Sequence, residues 1–165
     1  MREINRIVIH CSATWPSMNY TKAMLWRDHV KGNKWDDIGY HYYITRDGVI
    51  HPCRPEDKIG AHVKGFNNKS IGICYEGGLS DTPAFRNIIV DGVKKTVKYH
   101  PPEDNRTAEQ RISMYALCKD IIERHPGIKY INGHNELCRY GAKACPSFDV
   151  RKSELVELLK QQANK

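Results

Sequence analysis

The chain has 165 residues, 40% hydrophobic and 27% charged, which is one globular domain's worth of core and excludes a disordered or collagen-like chain. Lys and Arg number 26 against 19 Asp and Glu, a formal charge of +7, which favours polyanionic partners such as nucleic acid, anionic membrane or bacterial wall polymer. No apolar run is long enough to span a bilayer, and no signal-type apolar stretch follows Arg2, Glu3, Asn5 and Arg6, so cytosolic synthesis without a signal peptide is expected.

Residues 4–10 form an apolar, β-branched run that predicts a buried strand. A loop with Trp15-Pro16-Ser17 follows. Thr21 is placed to cap a helix to about Val30, with Gly32-Asn33 as its stop and Leu25, Trp26, His29 and Val30 on its inner face. Residues 40–46 predict a strand, Asp47-Gly48 a two-residue hairpin turn, and Val49-Ile50-His51 the return strand. Ser70 to Tyr75 is another short strand, ended by Gly77-Gly78. Residues 79–105 are polar and turn-rich, and Asp91-Gly92 sits between two apolar stretches as a second hairpin turn. We expect this hairpin-containing stretch to be an insertion on an edge of the sheet. Thr107 with Gln110 forms a capping box for a helix with Met114, Leu117, Cys118 and Ile121 on one stripe, stopped by Pro126-Gly127. Residues 128–132 predict a short strand. A last helix, capped by Ser147 or Asp149, turns Leu155, Leu158 and Leu159 inward. Strands alternate with helices and no repeat or linker interrupts them. The expectation is an α/β fold: one domain over residues 1–165, with a central mixed β-sheet flanked by α-helices.

Six cysteines stand at positions 11, 53, 74, 118, 138 and 145, with no Cys-x-x-Cys pair, so a zinc ribbon or thioredoxin-type motif is excluded. In a chain made in the cytosol, free thiols are the default. A catalytic zinc needs three protein ligands and an open position for water. His10 ends the first strand, His134 follows the strand at 128–132, and Cys145 precedes Pro146. Such residues can converge at one edge of a sheet, but spacing alone leaves this open, since ligands distant in sequence leave no local pattern.

The specific sequence adds more. Ile9-His10-Cys11-Ser12-Ala13-Thr14, Gly39-Tyr40-His41-Tyr42, Asn68 with Ser70-Ile71-Gly72-Ile73, Gly133-His134-Asn135-Glu136 and Lys143-Ala144-Cys145-Pro146-Ser147-Phe148-Asp149 occur in this order. The series resembles the type-2 N-acetylmuramoyl-L-alanine amidases of the coliphage-lysozyme kind, which are related to the peptidoglycan recognition proteins. The resemblance runs over roughly residues 4–160. It implies an amidase or recognition-protein type of fold and a Zn²⁺ held by His10, His134 and Cys145. It also implies a catalytic Tyr40 beside the metal and a Lys143 facing the scissile carbonyl. Leu137 to Tyr140 depart from the family pattern and bring Cys138 near the metal as a rival thiol. Cys145 is preferred because it stands two after Lys143 and before Pro146.

Several neighbours have expected places. Cys11 and His41 alternate with His10 and Tyr40, so they should face away from the site. His62, in Gly60-Ala61-His62-Val63-Lys64-Gly65, resembles the family's cleft wall and is a substrate-binding candidate against a structural histidine. Asn67 and Trp15 are weaker substrate-binding candidates. Glu136 either orients a ligand or caps the following turn. His29, His51, His100 and His125 have no partner legible in the sequence.

The function implied is hydrolysis of the bond between N-acetylmuramic acid and L-alanine in bacterial peptidoglycan. The setting would be wall lysis by a phage or prophage enzyme released by a holin, or cytosolic recycling of wall fragments. A non-catalytic peptidoglycan-binding module of the same fold is the alternative; the presence of Cys145 and Lys143 argues against it. Nucleic acid is a disfavoured partner because no motif for it is present. Polymerase binding, a secondary role of some phage relatives, has no motif that addresses it. A monomer is expected.

Overall fold

The structure is a computed structural model that describes residues 2–138 and 144–163. The first apolar run becomes strand β1, Arg6–Cys11, and its near-continuous burial has a topological cause. It lies inside a five-stranded sheet of order β3-β2-β4-β1-β7, where β2 is Tyr42–Ile44, β3 Ile50–Pro52, β4 Ser70–Tyr75 and β7 Tyr130–Gly133. β1 is parallel to both neighbours, β4 and β7, and is covered on both faces. β2 is parallel to β4 and antiparallel to β3, so the sheet is mixed, as expected.

One face of the sheet carries Ile7, Ile9, Ile71 and Ile73 against Met114, Cys118 and Ile121 of helix α2, Ala108–Arg124. Leu155 and Leu158, the latter on α4 (Glu157–Ala163), close the same core. The other face holds a smaller cluster of Tyr20, Leu25, Ile38, Tyr43 and Cys74 beneath helix α1, Lys22–Trp26. The capping box at Thr107 and Gln110 forms, and the buried Gln110 also donates to the backbone oxygens of Ile44 (3.2 Å) and Glu76 (2.9 Å). The cap therefore ties α2 to the sheet as well as satisfying its own first turn.

Four expectations change in the structure. Thr21 caps α1, but after Trp26 the helix widens into a π-helical turn over Arg27–Gly32, with Asn33 N–H bonded to Asp28 O. The added residue breaks the predicted phase: Leu25 is buried, His29 and Val30 are half-buried, and Trp26 is exposed. The strand predicted at 40–46 narrows to Tyr42–Ile44: Thr45 already enters the turn that Gly48 N–H closes (2.8 Å), and before Tyr42 the His41 imidazole Nδ1 accepts the Gly72 N–H (3.0 Å). The Asp91-Gly92 hairpin forms as strands β5, Ala84–Val90, and β6, Val93–Tyr99, but as a separate two-stranded sheet and not an edge of the central one. The last helix starts only at Glu157, after two short 3₁₀ turns, and Asp149 caps the first of them. Ser147 is no cap; its hydroxyl donates to Gly78 O (2.7 Å).

Candidate metal centre

Parallel pairing creates the site. The register sets Ile9 opposite Gly133, so the residues that follow, His10 and His134, leave the ends of adjacent parallel strands side by side. Their ring centroids lie 4.6 Å apart. Side groups gather at the carboxyl ends of parallel strands because all those ends point the same way. His134 begins the short helix α3, His134–Leu137. Glu136 caps that turn: its carboxylate accepts Gly133 N–H (2.7 Å) and the Asn132 amide (2.9 Å). Of its two expected roles, these contacts show the cap.

Cys145 arrives from the distant C-terminal loop. Its carbonyl accepts Asn135 N–H (2.8 Å) and its sulfur accepts Cys11 N–H (3.3 Å). The next carbonyl, of Pro146, accepts the Tyr75 hydroxyl (2.6 Å). The sulfur ends 3.8 Å from His10 Nδ1. One donor atom from each of His10, His134 and Cys145 lies within 4.8 Å of the other two. Zn–N near 2.0–2.1 Å and Zn–S near 2.3 Å at a tetrahedral angle imply an N···S separation of about 3.6 Å. The donor set and its spacing therefore fit a zinc ion with a fourth position left over. Among the described residues Cys138 is outside this cluster; it lines the neighbouring cleft instead.

Tyr40 stands over the cluster, its ring 5.0 Å from that of His10 and 5.5 Å from that of His29. Burial, reinforced by the Cys74, Cys145 and Cys11 thiols, pushes its phenol well above the usual range. That direction favours the protonated phenol, whose hydroxyl can donate a hydrogen bond. Lys143 lies outside the described residues.

A cleft of about 940 Å³ opens beside the cluster, walled by Trp35, His62, Lys64, Asn67, His134 and Cys138 among others. His62 borders it, yet the imidazole is almost fully buried: Nδ1 is 2.9 Å from His10 Nε2, and Nε2 is 3.3 Å from the Ser70 hydroxyl. Burial, with His41 and His134 nearby, pushes His62 down to about 3, so it is neutral. Asn67 Oδ1 accepts the N–H groups of His62 (3.0 Å) and Val63 (2.8 Å) and so shapes the loop that carries them. Trp15 does not line the cleft. Its indole stacks on His100 at 3.8 Å, a flat partner on another loop that its sequence neighbours do not reveal.

Cys11 is buried in the core, but it does not turn clear of the site as alternation predicts: its thiol packs against the Cys145 loop, 3.8 Å from the Ser147 hydroxyl and in contact with the Cys145 sulfur. His41 points away from Tyr40 but toward His62, 5.8 Å ring to ring. The other histidines have partners: His29 accepts Gly39 N–H, His51 meets Thr45, and His125 meets the Glu56 carboxylate at 2.6 Å. Trp35, Ser70 and Gly72 also belong to the site's surroundings. Only Ser70 and Gly72 had a signal, as members of the motif series, and that series assigned them no role.

A sequence profile described as N-acetylmuramoyl-L-alanine amidase matches residues 1–148. The endolysin of Escherichia phage T7 is 35% identical over 154 residues, covering 91% of this chain and 87% of the relative. A solved N-acetylmuramoyl-L-alanine amidase, LysC from Clostridium intestinale, is 26% identical with a TM-score of 0.68, covering 99% of this chain and 87% of that one. The ectodomain complex of peptidoglycan recognition proteins LCa and LCx, bound to tracheal cytotoxin, shares the fold at 23% identity and a TM-score of 0.63. That likeness covers 88% of this chain and 77% of the other. The chain is therefore a member of the N-acetylmuramoyl-L-alanine amidase family, with the mixed-sheet fold that this family shares with the peptidoglycan recognition proteins.

Proposed function

We propose that this amidase is zinc-dependent and cuts the amide bond between N-acetylmuramic acid and L-alanine in bacterial peptidoglycan, lysing the cell wall. The observation that carries the reading is the convergence of His10, His134 and Cys145 donor atoms beside an open cleft. These three residues hold the metal. Zinc, when bound, supplies a Lewis acid that polarises the scissile carbonyl and activates water.

The rest is done by the chain. Tyr40, protonated, donates a hydrogen bond toward the reacting centre. Lys143 supplies a positive charge to the developing oxyanion, as its place in the motif implies. His62 and Asn67 hold the cleft wall in shape, and Lys64 on that wall offers a cation to the carboxylates of a peptide stem. The +7 net charge favours approach to an anionic wall.

The deciding experiment pairs elemental analysis with release of free amino groups from purified sacculi, for wild type and Cys145→Ala. We expect zinc in the wild type and amino groups appearing with it. Cys145→Ala should lose both. Full zinc occupancy at wild-type affinity in Cys145→Ala would refute the ligand set.

A further inference from the structure

His62 occupies a slot that the backbone leaves open for it. A Cβ added at Gly72 would stand 2.7–2.8 Å from His62 Cδ2, Cγ and Nδ1, and one at Gly60 would stand 2.5 Å from Cδ2. A glycine thus faces the ring from each of two segments. Asn67 pins the backbone that carries it through two hydrogen bonds. The ring therefore has little freedom to turn, and each nitrogen has a defined partner: His10 Nε2 on one side, the Ser70 hydroxyl on the other.

Taken with the proposed ligand set, these contacts assign the protons. His10 directs Nδ1 toward Cys145 and Nε2 toward His62. A histidine nitrogen that ligates a metal must be unprotonated, so the His10 proton belongs on Nε2. Nε2–H then donates to His62 Nδ1. The His62 proton is left on Nε2, where it donates to Ser70 Oγ.

We propose that His62 is a positioning residue for the metal centre: it accepts the His10 Nε2–H and so fixes the tautomer and ring orientation that present Nδ1 to the ion. The partner of a metal-ligating histidine is usually a carboxylate, a backbone carbonyl or water; here a second histidine takes that place. The inference rests on the ligand set proposed above.

The test uses the zinc-loaded full chain challenged with graded amounts of a chromophoric chelator. His62→Leu removes the acceptor and should yield zinc to about 10–100-fold less chelator than wild type, the usual cost of losing such a partner. His62→Asn places an oxygen near the Nδ1 position and should hold zinc within about threefold of wild type, since an acceptor is retained. Nitrogen-15 spectra of the loaded wild type should show His10 protonated at Nε2 and His62 at Nε2. Zinc retention in His62→Leu equal to wild type overturns the proposal, as does equal loss in His62→Leu and His62→Asn. If His62→Leu does not fold, the wild-type spectrum decides: a His10 proton on Nδ1 overturns it. Cys145→Ala separates the two readings. Wild-type retention there sinks the ligand set itself; loss there, with His62→Leu unaffected, sinks only the role of His62.

Discussion

Replacing Gly72 by alanine changes one atom in the middle of β4, yet it should reach the metal centre. The new Cβ would meet three atoms of the His62 ring at 2.7–2.8 Å, where ordinary contact begins at 3.4 Å. Restoring ordinary contact with the nearest atoms takes about 0.7 Å of movement by the ring or the strand in a tightly packed interior. Gly60 flanks the same ring, since a Cβ there would stand 2.5 Å from Cδ2, so the ring has little room to retreat on that side. Overpacking of this kind costs about 1–3 kcal/mol. A displacement of that size also stretches the 2.9 Å contact between His62 and His10 to the edge of hydrogen-bonding range. Urea denaturation of the loaded protein reads the first effect, and chelator competition reads the second. We expect a lower unfolding midpoint with unchanged slope, and easier zinc loss. A midpoint and a zinc retention both indistinguishable from wild type would refute the packing argument.

Three further outcomes are expected. Tyr40→Phe should keep zinc and fold but lower kcat about 10²–10³-fold, the usual cost of one transition-state donor; an unchanged turnover on sacculi would remove Tyr40 from the reaction. Burial alone would raise the Glu56 carboxyl, but hydrogen bonds from Arg124, Tyr42 and His125 outweigh it and hold it at about 2. That depressed value lies below the unfolded one near 4.3, so its stabilisation is complete above about pH 4.3 and is lost as pH falls toward 2. Glu56→Gln should cost about 1–2 kcal/mol at pH 7, kept small by solvent screening at the exposed Arg124, and should flatten stability between pH 4.3 and 2 in chemical denaturation; a mutant curve parallel to wild type would count against the network. Thr107→Ala removes the cap of α2 and a hydroxyl that also donates to Arg46 O (2.7 Å), so thermal unfolding should report a loss of about 1–2 kcal/mol; a loss under 0.3 kcal/mol would show the cap to be redundant.

What the sequence alone determines here is local. Thr107 and Gln110 are three residues apart, so the capping box is complete before any tertiary contact forms. A tight turn was legible at Asp47-Gly48, although it closes one residue earlier than expected: Gly48 N–H meets Thr45 O (2.8 Å) around Arg46 and Asp47, and Gly48 at φ +82° takes a conformation glycine adopts freely. The stripe of Met114, Leu117, Cys118 and Ile121 buries as the helical period dictates. The ordered motifs also pointed to the family, which the profile over residues 1–148 and a relative 35% identical over 154 residues bear out. Other features belong to the tertiary structure. The widened turn after Trp26 and the stacking of Trp15 on His100 leave no periodic trace. The ring slot of His62 joins Gly60, Gly72 and His10 from three segments. The donor cluster itself exists only because β1 and β7 pair in parallel at Ile9 and Gly133 while the Cys145 loop folds back onto Asn135. Strand register is a long-range property set by competition among whole sheets, and no window of neighbouring residues contains it.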